Sequence, residues 1–332
     1  MHESLQIKIK EYIKDKEVYN HIHLDKEFCI SFLAQGEYNI NFKLEDEKRK
    51  YVFRVNTGSQ IESDNQIKYE YEALKALEIS GVTPNVRYLD DSLSYIKNGI
   101  LIMDFLEGRP LLYNTDMKKA ANIFSEIHSL DLKNMETSNF IVEENIMQDR
   151  INEGTRLLKP FFESKDTDKD LKDFFYKFLN WCEKNKDSQK YFSENIWHVI
   201  NNTEVNSHNF IIGEKSYLID WEKPVISDPS QDLTQFLAPT TTLWKGNYIL
   251  SEEERSLFFN TYKENIGKSD TYIEERVKLY NPYLYLRALS WCAFAYTQYQ
   301  DEDKTIKNMD TYGKIKEYLD IDFMKKLLRD YF

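Results

Sequence analysis

The chain has 332 residues, 41% hydrophobic and 30% charged, enough for one large core or two moderate ones and too apolar for a disordered chain. Lysine and arginine number 44 against 56 acidic residues, and the net charge of −12 argues against nucleic acid or an anionic membrane surface as a partner. Cys29, Cys182 and Cys292 are too scattered for a disulfide framework or a zinc site, the N-terminal stretch has no apolar signal segment, and no apolar run could span a bilayer, so a cytoplasmic protein is expected.

In chain order, CISFLAQGEYNINFKL (29–44) alternates with period two and reads as a hairpin whose turn holds Gly36 and Asn39. KYVFRV (50–55) is the next strand, with Arg54 inside an otherwise apolar run. DNQIKYEYEALKALEISG (64–81) predicts a helix with Ile67, Tyr71, Leu74 and Leu77 on one face and Gly81 as its stop. Two short strands follow, ending at Gly108. Beyond it the pattern turns helical: a stripe over 116–132, charged helix with aromatics over 145–190, and long helical periodicity from 250 onward. Two short strands with a loop between them interrupt it over 196–221.

That loop carries the candidate chemistry. Glu204 and Asn209 follow a short strand at 199–200, and Asp220 ends the strand at 217–219. If the two strands pair, both loop ends face one space. Asn209 and Asp220 offer the hard oxygens that Mg²⁺ accepts, and a third carboxylate that is not a ligand can orient a hydroxyl and take its proton. The residues alone leave a second reading open, in which Asp220 caps a turn and Asn209 bonds its own loop.

NNTEVNSHNF (201–210), LIDWE (218–222) and DPSQDL (228–233) together resemble the aminoglycoside phosphotransferase and choline kinase superfamily, whose pattern is H-G-D-x-H-x-x-N, then I-D-W/F, then D-P-x-x-D-L. FLAQGEYNINFKL resembles its nucleotide-covering hairpin, YVFRV its cation-bearing strand, YEYEALKALEISGVTPNV its glutamate-bearing helix, and LIMDFLEGRPL its hinge. The resemblance implies an α+β, protein-kinase-like fold, with an N-lobe of antiparallel sheet over 1–107 and a larger, mainly helical C-lobe over 108–332. It implies a phosphotransferase using ATP or GTP with Mg²⁺. Asn209 and Asp220 would hold the metal, and Arg54, in place of the usual lysine, would touch the phosphates with Glu70 as its ion-pair partner. Gly36 would close over the phosphates, the backbone around Asp104–Leu106 would read the base, and Asp232 would brace the catalytic loop. His128 reads as a structural histidine.

Two departures stand out. The family's H-G-D is here Asn202-Thr203-Glu204, so the histidine is absent and the catalytic aspartate is the longer Glu204. A displacement near 1 Å can cost on the order of 10²-fold in rate, so a catalytically weak or inactive nucleotide- or partner-binding protein is the alternative. Over 281–303, Trp291, Tyr296 and Tyr299 precede Asp301, Glu302 and Asp303. Aromatic faces beside carboxylates suit an amine, which makes a cation one candidate for the small hydroxyl-bearing acceptor; an aromatic core helix ending in a solvated turn gives the same pattern.

Overall fold

The computed structural model describes residues 2–59, 65–268, 271–300 and 309–331. Its elements, in chain order, begin with α1 (His2–Asp15), α2 (Val18–His21), β1 (Cys29–Gln35), β2 (Asn39–Glu45), β3 (Lys50–Asn56) and α3 (Gln66–Leu77). Then come β4 (Val86–Asp90), β5 (Gly99–Asp104), β6 (Arg109–Pro110), α4 (Tyr113–His128), β7 (Ile141–Val142), α5 (Ile146–Glu163), α6 (Lys169–Asn185) and α7 (Gln189–Glu194). Four short strands follow, β8 (Val199–Asn201), β9 (Phe210–Ile212), β10 (Ser216–Leu218) and β11 (Val225–Ser227). The rest is helical: α8 (Ser230–Leu237), α9 (Pro239–Lys245), α10 (Glu252–Asn265), α11 (Ile273–Gln300), α12 (Met309–Tyr318) and α13 (Ile321–Leu328).

Two compact units share the chain, the first comprising Met1–Leu111, Lys119–Ile141 and His208–Val225, the second Leu112–Lys118, Val142–Ser207 and Ile226–Phe332. In the first, an antiparallel sheet has the order β1-β2-β3-β5-β4. Its alternation sorts the residues by face. Ile40, Phe42, Leu44, Tyr51, Phe53, Val55, Ile100 and Ile102 belong to one core with Ile9, Tyr12 and Ile13 of α1. Nothing in the sequence reading anticipated α1. Its apolar stripe is narrow and lies among charges, and the Tyr12 hydroxyl is satisfied by Asp90 at 2.7 Å. Arg54 alternates with that apolar set, so it projects from the other face of the sheet, where its Nε donates to Asn41 across the strand pair at 3.0 Å.

Helix α3 starts where Asn65 caps it, accepting from the Lys68 N–H at 3.2 Å, and its stop is the expected Gly81, at φ 69° after a 3₁₀ turn. Ile67, Leu74 and Leu77 are buried as predicted, Tyr71 is only partly so, and Glu70 lies on the buried face instead. Asp64, the first residue of the predicted helix, lies outside the described residues.

The second unit is mainly helical. Helices α5, α6 and α11 to α13 bury one aromatic-rich core that includes Phe161, Phe175, Phe178, Tyr283 and Leu286. Gly154 lets α5 approach α11: a Cβ there would lie 3.0 Å from the Leu286 side chain. The cysteines are unpaired, and among the described residues no helix is long and apolar enough to cross a membrane.

The strand before Glu204 and the strand before Asp220, whose pairing would turn both loop ends to one space, do not pair. Strand β10 pairs with β9, and β9 with β6, in a small sheet of the first unit, whereas β8 belongs to the second unit. The turn between β9 and β10 is short enough to close a hairpin, so local pairing wins over the longer connection.

Candidate functional site

In the first unit the cation of β3 meets the carboxylates of α3 and of the segment after β10. Arg54 is 7% exposed and pairs with Glu70, as the sequence predicts. Its guanidinium also lies 3.5 Å from Asp220 and 3.8 Å from Glu222. One cation therefore faces three carboxylates in a dehydrated setting. Burial pushes the Glu70 carboxyl up to about 7 against the pull of Arg54, and its Oε2 is buried without a hydrogen-bond partner among the described residues. Burial, with Asp220 nearby, pushes Glu222 up to about 8.

The backbone fixes this arrangement. Asp220 sits at φ 67°, a left-handed conformation that aspartate tolerates better than most residues. The Ile219 N–H donates to the Asn209 carbonyl at 2.8 Å, which brings the start of β9 to the segment carrying Asp220. Leu218 donates to Val82 at 2.9 Å, and the fully buried Trp221 donates its indole N–H to Leu218 at 3.0 Å. Glu222 accepts from Asn39 at 2.5 Å, and its carbonyl accepts from Gln66 at 2.6 Å. Neither Glu222 nor Asn39 was among the predicted site residues. The signal for Glu222 was its place two residues after Asp220; its partner Asn39 lies 183 residues away in sequence.

At the end of β5 the Asp104 carboxylate is turned to Arg87, which donates twice at 2.7 Å, and to Asn85 at 3.0 Å. Its side chain is thus occupied, and what this segment offers a ligand is main chain. The Asp104 N–H donates to Asn85 and the Phe105 N–H to Lys50, whereas the Leu106 N–H makes no hydrogen bond with the described residues. Gly36 donates its N–H to the Asn39 carbonyl at 2.9 Å. A Cβ on it would meet only that oxygen, at 3.9 Å, so the fold itself leaves room for a side chain there. His128 is buried, against the Phe124 ring.

The second unit contains Glu204, on a loop held at almost every amide. Asp232, buried in α8, accepts the N–H groups of Asn202 at 2.6 Å and Thr203 at 2.8 Å. The Asn202 side chain accepts the Glu204 N–H at 3.0 Å, an Asx turn, and the Asn206 N–H donates to the Glu204 carbonyl at 2.8 Å. Thr203 sits at φ 68°, where a β-branched residue is strained. Asp232 therefore braces this loop, as expected. Asp228 of the same sequence block serves structure instead, pairing in the interior with Arg276.

Aromatic residues of this unit fall into two groups. Trp291, 41% exposed, packs edge-on against Trp244, which also meets Tyr318; Tyr296 and Tyr299 stack on Tyr312. Trp244 and Tyr312 were not foreseen, while Asp301, Glu302 and Asp303 lie outside the described residues.

The family model of the phosphotransferase enzyme family matches residues 30–264. The chain belongs to that family. No curated protein matches its sequence. Among solved structures, an ethanolamine kinase of Plasmodium vivax is similar with 15% identity and a TM-score of 0.64, over 100% of this chain and 91% of the other. A choline kinase of Cryptosporidium parvum follows at 16% identity and 0.62, over 96% and 97%, and a spectinomycin phosphotransferase solved with ADP and spectinomycin at 15% and 0.59, over 94% and 97%. These likenesses establish the protein-kinase-like fold, with its antiparallel sheet in the N-terminal part and mainly helical remainder.

Within the family's pattern, the clustering of Arg54, Glu70 and Asp220 has a chemical consequence. Burial holds the Glu70 and Glu222 carboxyls up beside Asp220, and a divalent cation at Asp220 would favour their ionised forms; the donors are oxygens of the kind Mg²⁺ takes. Among the described residues no group of three or more His, Cys, Asp or Glu could hold a metal by itself. The residues fit an ion that completes its shell with water and phosphate oxygens, as Mg²⁺ does.

Proposed function

We propose that this phosphotransferase is a Mg²⁺-dependent kinase that moves the γ-phosphoryl group of ATP or GTP to a hydroxyl of a small acceptor. The observation that carries this reading is the buried contact of Arg54 with Glu70 and Asp220. An arginine held rigid from behind by a buried glutamate would offer its fork to phosphate oxygens, and the carboxylate beside it would suit a divalent metal. In this reading Asn209 and Asp220 would hold Mg²⁺, which would supply positive charge against the phosphates. Arg54 contacts those phosphates, Gly36 leaves space over them, and the main chain of Asp104–Leu106 meets the base edge. Glu204 orients the acceptor hydroxyl and takes its proton.

Phosphoryl transfer depends on positioning and charge neutralisation more than on the strength of a base, so a well-placed glutamate can serve where the family has aspartate. The Asx turn at Asn202 and the clamp by Asp232 supply that placement. A cationic acceptor is supported by the part-exposed Trp291 beside Trp244, since indole faces attract ammonium groups. It is also in keeping with neighbours named choline and ethanolamine kinases. The substitution of Glu204 favours one competing reading, nucleotide binding without turnover. The two separate in a nucleotide-depletion assay with Mg²⁺ against pooled amino alcohols, sugars and aminoglycosides. Acceptor-dependent depletion supports the kinase. Nucleotide binding with no depletion by any acceptor supports the binding protein.

A further inference from the structure

The second unit contains a cavity of about 580 Å³ that the reaction above does not use, within the range of about 300–1,000 Å³ usual for small-molecule sites. It opens among α8, α9, α10, α11 and α13. Its lining is mixed, and Leu237, Leu243, Phe259, Phe323 and Leu327 form the apolar part. Thr234 also lines it; this residue is 1% exposed and its hydroxyl has no hydrogen-bond partner among the described residues.

The rim is charged unevenly. Glu274 is engaged by Lys263 at 2.7 Å, and Asp330 lies 3.7 Å from Arg329. That leaves Arg255, Lys278 and Lys326 against Glu252, and neither Lys278 nor Lys326 forms an ion pair among the described residues. On a chain of net charge −12, this excess of cations at the mouth of the cavity runs against the overall balance.

We propose that this cavity binds a small amphipathic anion, an apolar body inside the pocket with one carboxylate or phosphate head at the Lys278 and Lys326 rim. Helix α9 forms one wall through Leu243, and the next residue, Trp244, packs on Trp291, so an occupant touches the helix that supports the aromatic pair.

The test uses the full chain without nucleotide or acceptor, so its outcome is independent of the phosphotransfer reading. Decanoate, decyl phosphate and decyltrimethylammonium, each below its micellar concentration, are titrated by calorimetry and thermal shift. Saturable binding by decanoate or decyl phosphate is expected, the tighter of the two identifying the head, with none by the ammonium. Lys278→Glu with Lys326→Glu should weaken that binding by about tenfold, through two reversed charges at the mouth. Lys278→Gln with Lys326→Gln gives a smaller loss, and both pairs should keep the unliganded melting temperature because these side chains are exposed. No saturable binding by either anion, equal binding by the ammonium, or charge-reversed protein binding as tightly as the parent overturns the proposal.

Discussion

Replacing Arg54 by methionine removes the one cation from the cluster in the first unit while roughly keeping side-chain volume. Glu70, 1% exposed, then has no guanidinium to accept from. Removing one partner of a buried ion pair costs about 3–5 kcal/mol, because the other charge stays dehydrated. At about 2–4 °C per kcal/mol, the melting temperature should fall by roughly 6–20 °C at pH 8. The loss should also depend on pH. Burial already raises the folded carboxyl of Glu70 from 4.5 to about 7, and Arg54 is the influence that lowers it. A carboxyl with a raised folded pKa contributes its stability in full below the unfolded value and loses it as pH rises through the folded one. In the parent that window runs from 4.5 to about 7. Without Arg54 its upper end moves higher, so Arg54→Met should be much closer to the parent at pH 5 than at pH 8. Urea unfolding at both pH values, without nucleotide or Mg²⁺, measures this, and Arg54→Met with Glu70→Leu should recover more than half of the pH 8 loss. A pH 8 loss below about 1 kcal/mol, the range of exposed pairs, or an equal loss at both pH values would refute the buried-pair account.

Three further substitutions probe the loops. Asp232→Asn keeps one acceptor but turns an NH₂ toward a buried N–H of Asn202 or Thr203, and should cost about 2–3 kcal/mol in urea unfolding; a neutral result would show that the clamp is dispensable. Thr203→Gly relieves a left-handed φ of 68° at the expense of backbone entropy, and should be neutral or stabilising by up to about 1 kcal/mol; a larger loss than that would mean the threonine side chain holds the loop. Gly36→Ala should leave the melting temperature unchanged, because its Cβ meets only the Asn39 carbonyl at 3.9 Å, yet weaken nucleotide binding in a titration. Unchanged affinity would remove Gly36 from the phosphate site.

The pairing of Arg54 with Glu70 was legible through the resemblance to the family's cation-bearing strand and glutamate-bearing helix, and an arginine inside an apolar strand needs such a partner. The hairpin was legible from its period-two alternation, and the bracing by Asp232 from the resemblance of DPSQDL to the family's pattern. Helix α1 was not: Ile9, Tyr12 and Ile13 make a stripe too narrow to stand out among lysines and glutamates, and what buries them is a sheet built from residues 29–104. The pairing of β10 escaped because three-residue strands carry no periodicity. In α11, buried Tyr283 and Tyr285 and part-exposed Trp291 share one aromatic run, so the pattern could not separate core from surface.

In the proposed reaction Glu204 takes the role of the family's aspartate in phosphoryl transfer. The most direct test of that role is single-turnover transfer from radiolabelled ATP or GTP with Mg²⁺ and the acceptor found in the pooled screen, comparing the parent with Glu204→Gln and Glu204→Asp. The expected result is that Glu204→Gln keeps nucleotide affinity and loses on the order of 10²-fold in rate. Glu204→Asp should fall below the parent, because the shorter arm no longer reaches the hydroxyl from a loop set by Asn202 and Asp232. A Glu204→Gln rate equal to the parent's, or a Glu204→Asp rate above it, would contradict the claim.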